Sequence, residues 1–215
     1  MSPAYYREFH FAHHRHTQVP ELDPELMSNP SLMLNWPTRG VDWFVIVSGW
    51  RLLRSKFLLM SNAWIRPRRF AEQISRWGNP SRAKQAILET RIVSVVWAMP
   101  LVGTMAGVPG ALETSLALLL CHLFQSLWLS TEHTGLPTDG TILARTRSTA
   151  TYGLIRWFLW NMNFHAEHHA WPAVPWYKLP ATHRMVSDHV VLERTYLGLH
   201  RRIWNQRFGR KSDTR

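Results

Sequence analysis

The pattern of hydrophobic positions is dominated by two long apolar segments in the centre of the chain. Residues 92–110 form a stretch of 19 residues without charge, and residues 114–131 form a second stretch of 18 residues. As helices, each would be about 27–28 Å long, close to the roughly 30 Å of bilayer hydrocarbon. The sequence Gly107-Val108-Pro109-Gly110 between them is typical of a tight turn. We therefore predict a transmembrane hairpin over residues 92–131; the alternative is a buried helix pair in a soluble protein.

A third apolar stretch, residues 41–60, carries three cations: Arg51, Arg54 and Lys56. Each cation would cost about 2.5–3.5 kcal/mol near the bilayer centre, which outweighs most of the apolar gain. The pattern favours one amphipathic helix lying in the membrane surface, anchored by Trp43 and Trp50. A single tilted span is the alternative.

The segments on either side of the hairpin are more polar. Residues 66–83 are basic and contain the breakers Pro67 and Gly78-Asn79-Pro80, which indicate an irregular connection. Residues 145–170 are predicted to form a helix that Pro172 closes.

The basic tail, residues 188–215, places four apolar side chains among many charges: Leu192, Tyr196, Leu199 and Ile203. This spacing indicates a helix on the surface of the protein. We expect its end, residues 207–215, to be frayed.

The distribution of charge argues for a membrane protein. The chain carries a formal net charge of +11, which by itself would suggest a nucleic-acid partner. However, none of the 25 lysines and arginines lies between residues 92 and 144. Since both outer flanks of the hairpin are basic and its turn is not, both termini are expected on the cytoplasmic side. We expect no nucleic-acid binding.

Chain length and cysteine content set two further limits. The 215 residues are sufficient for one domain, residues 1–215, and nothing suggests two. Cys121 is the single cysteine, so an internal disulfide and a thiolate metal site are both excluded. The overall expectation is an all-α membrane protein with one hairpin and cytoplasmic-face helices.

The pattern His-x-x-His-His occurs twice, as the second box at residues 10–14 and the third box at residues 165–169. The spacing i, i+3, i+4 places three imidazoles on one face of a helix. The hairpin lies between the two boxes, so both boxes fall on the same side of the membrane. His133, directly after the second apolar segment, is a seventh candidate ligand.

The number of histidines favours two metal ions. Six or seven imidazoles exceed the four ligands of a structural zinc site and the three of a common catalytic one. The zinc-protease motif His-Glu-x-x-His is absent from the sequence. With imidazole donors and no thiolate, iron is the natural candidate for a membrane enzyme acting on unactivated carbon.

The histidine boxes and their order resemble those of membrane fatty acid desaturases. Residues 160–172 read WNMNFHAEHHAWP, continue through VPWYKLP to His183, and are similar to the third histidine box of that family. Residues 5–18 read YYREFHFAHHRHTQ and are similar to its second box. The order of box, hairpin and box also matches, so the resemblance covers nearly the whole chain.

The resemblance implies a non-haem di-iron oxidoreductase that introduces a double bond into a lipid acyl chain. It would use molecular oxygen and two electrons from a separate ferredoxin-like or cytochrome-type donor, since one cysteine cannot hold an iron–sulfur cluster. The implied iron ligands are His10, His13, His14, His133, His165, His168 and His169. Because a ligating imidazole needs an acceptor for its other N–H, three polar residues are expected beside them: Glu132, Asn161 and Glu167.

One departure from the family pattern leaves alternatives open. The family's earlier His-x-x-x-His box has no counterpart upstream of His10 in this sequence, so two ligands and a first hairpin would be missing. The chain could therefore be an inactive, N-terminally truncated desaturase-like protein. A lipid or carotenoid hydroxylase or ketolase is the other alternative.

The remaining histidines are not expected to bind metal. His16 follows the second box and cannot substitute for the earlier one, and His122 is expected to pack in the interior. Three further histidines are expected at the surface: His183, His189 and His200.

Overall fold

The fold is almost entirely helical. A computed structural model describes residues 1–28 and 34–209, and 71% of these residues are helical, with almost no strand. The predicted all-α class is thereby confirmed. The α-helices are α1 Pro3–His16, α2 Pro24–Ser28, α3 Gly40–Val47, α4 Trp50–Ile65, α5 Pro67–Trp77, α6 Ala83–Met105, α7 Ala111–Glu132, α8 Ile142–Arg145, α9 Gly153–Phe158, α10 His165–Ala170, α11 Leu179–Val186 and α12 Tyr196–Phe208. Short 3₁₀ turns occupy Pro80–Arg82, Trp176–Lys178 and Ser187–His189, and the strands are β1 Arg147–Thr149 and β2 Val191–Glu193.

Helices α6 and α7 form the predicted hairpin. Both are long and apolar enough to cross a membrane, and only 11% and 6% of their most apolar stretches are buried within the protein. The core helices of a soluble protein would be mostly buried, so these exposed apolar faces fit a lipid environment. The turn lies where the sequence predicts it, with Gly107 and Gly110 in the left-handed region at φ 70° and 79°.

Helix α6 begins earlier than the charge-free segment because its first turns pack inside the protein. Ala83, Ala86 and Thr90 are buried there, and the hydroxyl of Thr90 lies 2.9 Å from that of Ser2 at the start of α1. These residues share a core with α1 and α5, to which Tyr5 and Phe70 contribute.

The prediction of a single helix over residues 41–60 is wrong. The stretch is divided into α3 and α4 at Gly49, which adopts φ 76°. A Cβ atom at Gly49 would lie 2.6 Å from the carbonyl oxygen of His122, so only glycine permits this approach to α7. The break between α3 and α4 therefore lies directly against α7 at His122.

The irregular connection predicted for residues 66–83 is also wrong. Pro67 occupies the first turn of α5, where its missing N–H costs nothing, and so it begins a helix. Phe70, Ile74 and Trp77 recur on one face of α5 and are buried against α1.

The continuous helix predicted over residues 145–170 is replaced by several short elements. Strand β1 pairs in parallel with β2, with Arg147 opposite Val191 and Thr149 opposite Glu193. Trp160 and Asn161 then adopt left-handed conformations, with φ 52° and 57°, and this turn separates α9 from α10. The break allows α10 to lie against α1 independently of α9.

The tail forms the predicted helix, α12, but this helix is less exposed than expected. Leu199 and Ile203 are buried against Trp36. Of the tail end expected to be frayed, residues 210–215 lie outside the described residues.

Candidate metal centre

Helix α1 presents the second box on the face opposite its apolar core contacts. The Ser2 hydroxyl caps its first turn by accepting from the N–H of Tyr5, and Pro3 follows at the first helical position. Tyr5 and Ala12 face the core shared with α5 and α6. The i, i+3, i+4 spacing then directs all three imidazoles of the box towards α10.

The structure brings the seven predicted ligands together in two adjacent groups. His13, His133, His165 and His169 form the buried group, and His10, His14 and His168 form the half-buried group. Within each group, the possible ligand atoms lie within 4.8 Å of one another.

Each histidine box is divided between the two groups. Helix α1 gives its i, i+4 pair, His10 and His14, to the half-buried group and His13 to the buried group. Helix α10 does the reverse, giving its i, i+4 pair to the buried group and His168 to the half-buried group. Both boxes are thus needed to build either group.

Within the buried group, the Nε2 atoms of His133, His165 and His169 converge. Nε2 of His165 lies 3.1 Å from Nε2 of His133 and 3.1 Å from Nε2 of His169. The half-buried group is similar, with Nε2 of His14 lying 3.0 Å from that of His10 and 3.1 Å from that of His168.

The Nδ1 atoms of the buried group face polar partners on the outside. His133 donates to the carbonyl oxygen of Arg145 at 3.1 Å, and His13 faces the Asp23 carboxylate at 2.9 Å. Nδ1 of His169 lies 2.9 Å from Oγ1 of Thr17, and this hydroxyl donates its own proton to the carbonyl of His13, so it accepts from His169. For His133 and His169, these partners place the ring proton on Nδ1 and leave the Nε2 lone pair facing inward.

Burial keeps most of these imidazoles neutral. Burial and the neighbouring imidazoles lower the pKa of His10 to about 4 and that of His14 to about 3. For the same reasons, the pKa values of His133, His165 and His169 lie well below 6.5.

His13 is the exception among the ligands. Burial lowers its pKa, but the carboxylates of Glu25 and Asp23 outweigh that effect and raise it. Oε2 of Glu25 lies 3.2 Å from Nε2 of His13.

The donor set fits metal ions. Neutral imidazoles whose lone pairs face each other at about 3 Å repel unless a cation lies between them, and no proton is available for most of these contacts. All-nitrogen sites of three and four imidazoles suit a transition metal such as iron.

The three polar residues expected beside the ligands have different surroundings. Oε1 of Glu132 lies 3.3 Å from Nδ1 of His165, without forming a hydrogen bond to it. Glu167 is fully buried but contacts Ser148 and His183 instead of a ligand candidate. Among the described residues, the Asn161 side chain makes no hydrogen bond to a histidine; its backbone forms the left-handed turn before α10.

Sequence reasoning missed Asp23, Glu25 and Thr17. Thr17 stands one helical turn after His13 and could have been identified as an i+4 neighbour. Asp23 and Glu25 follow a loop after α1, and no spacing in the sequence connects them to the box.

The other histidines follow the predictions except for two. His122 is buried, packs edge-on against Trp97 and donates to the carbonyl of Leu118, as expected for an interior residue. His189 is exposed, as predicted. The surface prediction is wrong for His200, whose side chain is 3% exposed. The face of α12 that carries His200 packs against Trp36 and Trp43.

The second exception is His183. Its side chain is only 16% exposed, because its ring lies against Phe164 and its Nδ1 contacts Glu167. It is therefore part of the packing around α10, outside both metal groups.

A cavity of about 500 Å³ adjoins both groups. His10 and His168 line it from the half-buried group, and His13 and His165 line it from the buried group. Its other walls are largely apolar and come mainly from α1, α4 and α7, with Tyr5, Phe9, Leu52, Leu59 and Leu129 among them.

Comparison with known proteins adds one finding to this geometry. No curated protein and no solved structure matches the chain. The family model described as fatty acid desaturase matches residues 1–202, which is nearly the full length. Together with the paired histidine boxes and the hairpin, this match shows that the chain belongs to the fatty acid desaturase family.

Proposed function

We propose that this protein is a membrane-bound, oxygen-dependent di-iron oxidoreductase that introduces a double bond into a fatty acyl chain. The observation that carries the proposal is the pair of adjacent histidine groups, one of four and one of three imidazoles, beside an apolar cavity. Membership of the fatty acid desaturase family supports an oxidoreductase role and a lipid substrate.

The proposed reaction removes one hydrogen from each of two adjacent methylene groups. Together with molecular oxygen, two electrons and two protons, it yields a double bond and two molecules of water. Bound iron would supply the capacity to reduce oxygen and break unactivated C–H bonds. The seven histidines would hold two iron ions, four from the buried group and three from the half-buried group.

The protein's own side chains would position the substrate and exclude water. The apolar cavity walls fit an aliphatic chain, and Phe9, Leu59 and Leu129 would keep bulk water away from it. His10 and His168 line the same cavity, so a chain lying there passes directly beside the half-buried group.

We further propose that both termini and the histidine groups face the cytoplasm. The basic residues flank the hairpin on the outside, while its turn carries no lysine or arginine. This orientation makes the histidine groups accessible to a separate soluble or membrane-bound electron donor, which would dock on the basic face.

The decisive test combines metal analysis with product analysis on the purified full chain. We expect about two irons per chain, with Mössbauer parameters of nitrogen-ligated non-haem iron. Supplied with oxygen, a reducing system and an acyl lipid, the protein should form a mono-unsaturated product without added oxygen atoms. A preparation that binds only zinc would contradict the proposal, and a product that gains oxygen would replace desaturation with hydroxylation.

A further inference from the structure

A buried lysine on the cavity wall is not used by the proposed chemistry. Lys56 lies on α4, is 8% exposed, and lines the cavity that reaches the histidine groups. Its Nζ atom donates to Oε1 of Gln125 at 2.8 Å and lies 3.4 Å from Nε2 of His122. The Trp97 ring packs against the same ammonium group, with its centroid 5.6 Å from Nζ.

The partners of Lys56 satisfy hydrogen bonds but do not balance its charge. Nδ1 of His122 donates to the carbonyl of Leu118 at 2.6 Å, so the neutral ring presents a lone pair on Nε2. The amide oxygen of Gln125 is likewise a neutral acceptor. An ammonium group has three N–H donors, and within the described residues no carboxylate lies within 4 Å of this one.

A buried cation without a counter-charge is costly, and in a membrane protein it usually marks a binding site. An anionic group in the cavity would provide the missing charge and accept the third N–H. Arg51, also on α4, lines the same cavity, while its two acidic residues, Glu25 and Glu132, are the neighbours of His13 and His165 rather than of Lys56.

The position of Lys56 relative to the histidines suits an amphiphilic ligand. Gln125, the partner of Lys56, and Glu132, the neighbour of His165, both lie on α7 and both line the cavity. Seven residues separate them, which corresponds to about 10 Å along a helix. A ligand held at Lys56 by its charged end can therefore extend an aliphatic chain towards the metal groups.

We propose that Lys56 binds the carboxylate of an unesterified fatty acid whose chain extends along α7 to the histidine groups. The inference rests on the proposed function and specifies its substrate class. A thioester or oxygen ester has no negative charge at its carbonyl, so the free acid is the form that balances the charge of Lys56.

The test measures binding, independently of turnover. Hexadecanoate, methyl hexadecanoate and hexadecanol are titrated into the detergent-solubilised full chain by calorimetry. Wild-type protein should bind the acid about 10- to 100-fold more tightly than the ester or the alcohol, as expected for one charge-assisted hydrogen bond. Equal affinity for all three ligands would overturn the proposal without any variant being needed.

Three variants locate the effect. We expect Lys56→Met to lose the 10- to 100-fold preference for the acid, whereas Lys56→Arg keeps it. Arg54→Met, an exposed cation on the same helix outside the cavity lining, serves as the matched control and should keep the preference. A Lys56→Met protein that still prefers the acid would overturn the assignment.

Iron content is measured on the same preparations, so that the two proposals can fail separately. A wild-type protein that shows no selectivity for the acid but binds iron would contradict only the assignment of Lys56. A wild-type protein that selects the acid but binds no iron would instead contradict the proposed function.

Discussion

The imidazole rings of His14 and His169 stack against each other, with centroids 4.2 Å apart and planes inclined by 18°. His14 belongs to the half-buried group and His169 to the buried group, so this contact joins the two candidate metal sites. The two residues are 155 positions apart in sequence, so a long-range contact between α1 and α10 holds the two candidate sites together.

Ligand number predicts different effects for two histidine substitutions. His168→Ala leaves two imidazoles in the half-buried group, whereas His133→Ala leaves three in the buried group. Three protein ligands can retain a metal, but two rarely can. We expect His168→Ala to lower iron from about two to about one per chain and His133→Ala to keep both ions with weaker affinity. Metal analysis checks this, with the exposed His189→Ala as control; equal losses in both variants would contradict it.

The hydroxyl of Thr17 is expected to tune the buried site without touching the metal. Thr17→Val removes the acceptor for Nδ1 of His169 at nearly constant size. Losing such a partner typically lowers metal affinity 10- to 100-fold. We expect that decrease in a chelator competition assay, and near wild-type affinity for Thr17→Ser. If valine and serine behave alike, the hydroxyl has no such role.

The lowered histidine pKa values predict how the stability of the metal-free protein depends on pH. The pKa of His10 is about 4 and that of His14 about 3 in the folded state, against 6.5 for an unperturbed imidazole. Between pH 6.5 and about 4, the unfolded chain therefore binds more protons than the folded one, and the free energy of unfolding falls as pH is lowered.

Thermal unfolding of chelator-treated protein in detergent tests this dependence. The melting temperature should decrease on going from pH 7 to pH 4.5, and the double variant His10→Gln, His14→Gln should show a shallower decrease. A melting temperature that rises on acidification would contradict the prediction.

Gly49 should be intolerant of a side chain. At φ 76°, alanine is strained by about 1–3 kcal/mol, and its Cβ would also lie 2.6 Å from the carbonyl oxygen of His122. Gly107→Ala is the matched control, because φ is 70° there but no atom lies within 4 Å of the added Cβ. We expect Gly49→Ala to lower the melting temperature more than Gly107→Ala does. Equal effects would show that the contact between α4 and α7 contributes nothing beyond backbone strain.

The parts of the fold that the sequence predicts are those with a local physical cause. The hairpin follows from two uncharged segments and a glycine-rich turn, and six of the seven candidate ligands follow from two copies of one histidine spacing. The role of Pro67 is not decided by its own sequence position, because proline breaks a helix interior but favours a first turn, and only the neighbouring structure determines which applies.

Long-range packing accounts for the rest. The pairing of β1 with β2 joins residues more than 40 positions apart, and a strand of three residues is too short to show a periodic pattern in the sequence. His200 is buried because α12 lies across Trp36 and Trp43, and Asp23 reaches His13 through a loop. These contacts depend on how elements meet, which a pattern within one element does not encode.

Because each histidine box is divided between two groups, the ligand arrangement depends on the rotation of α1 and α10 about their own axes. A rotation of α10 by one residue, about 100°, would move His168 into the place of His169 or the reverse, and it would turn His165 out of the buried group. Insertions or deletions between His10 and His14, or between His165 and His169, should thus be far more damaging than the loss of any one imidazole.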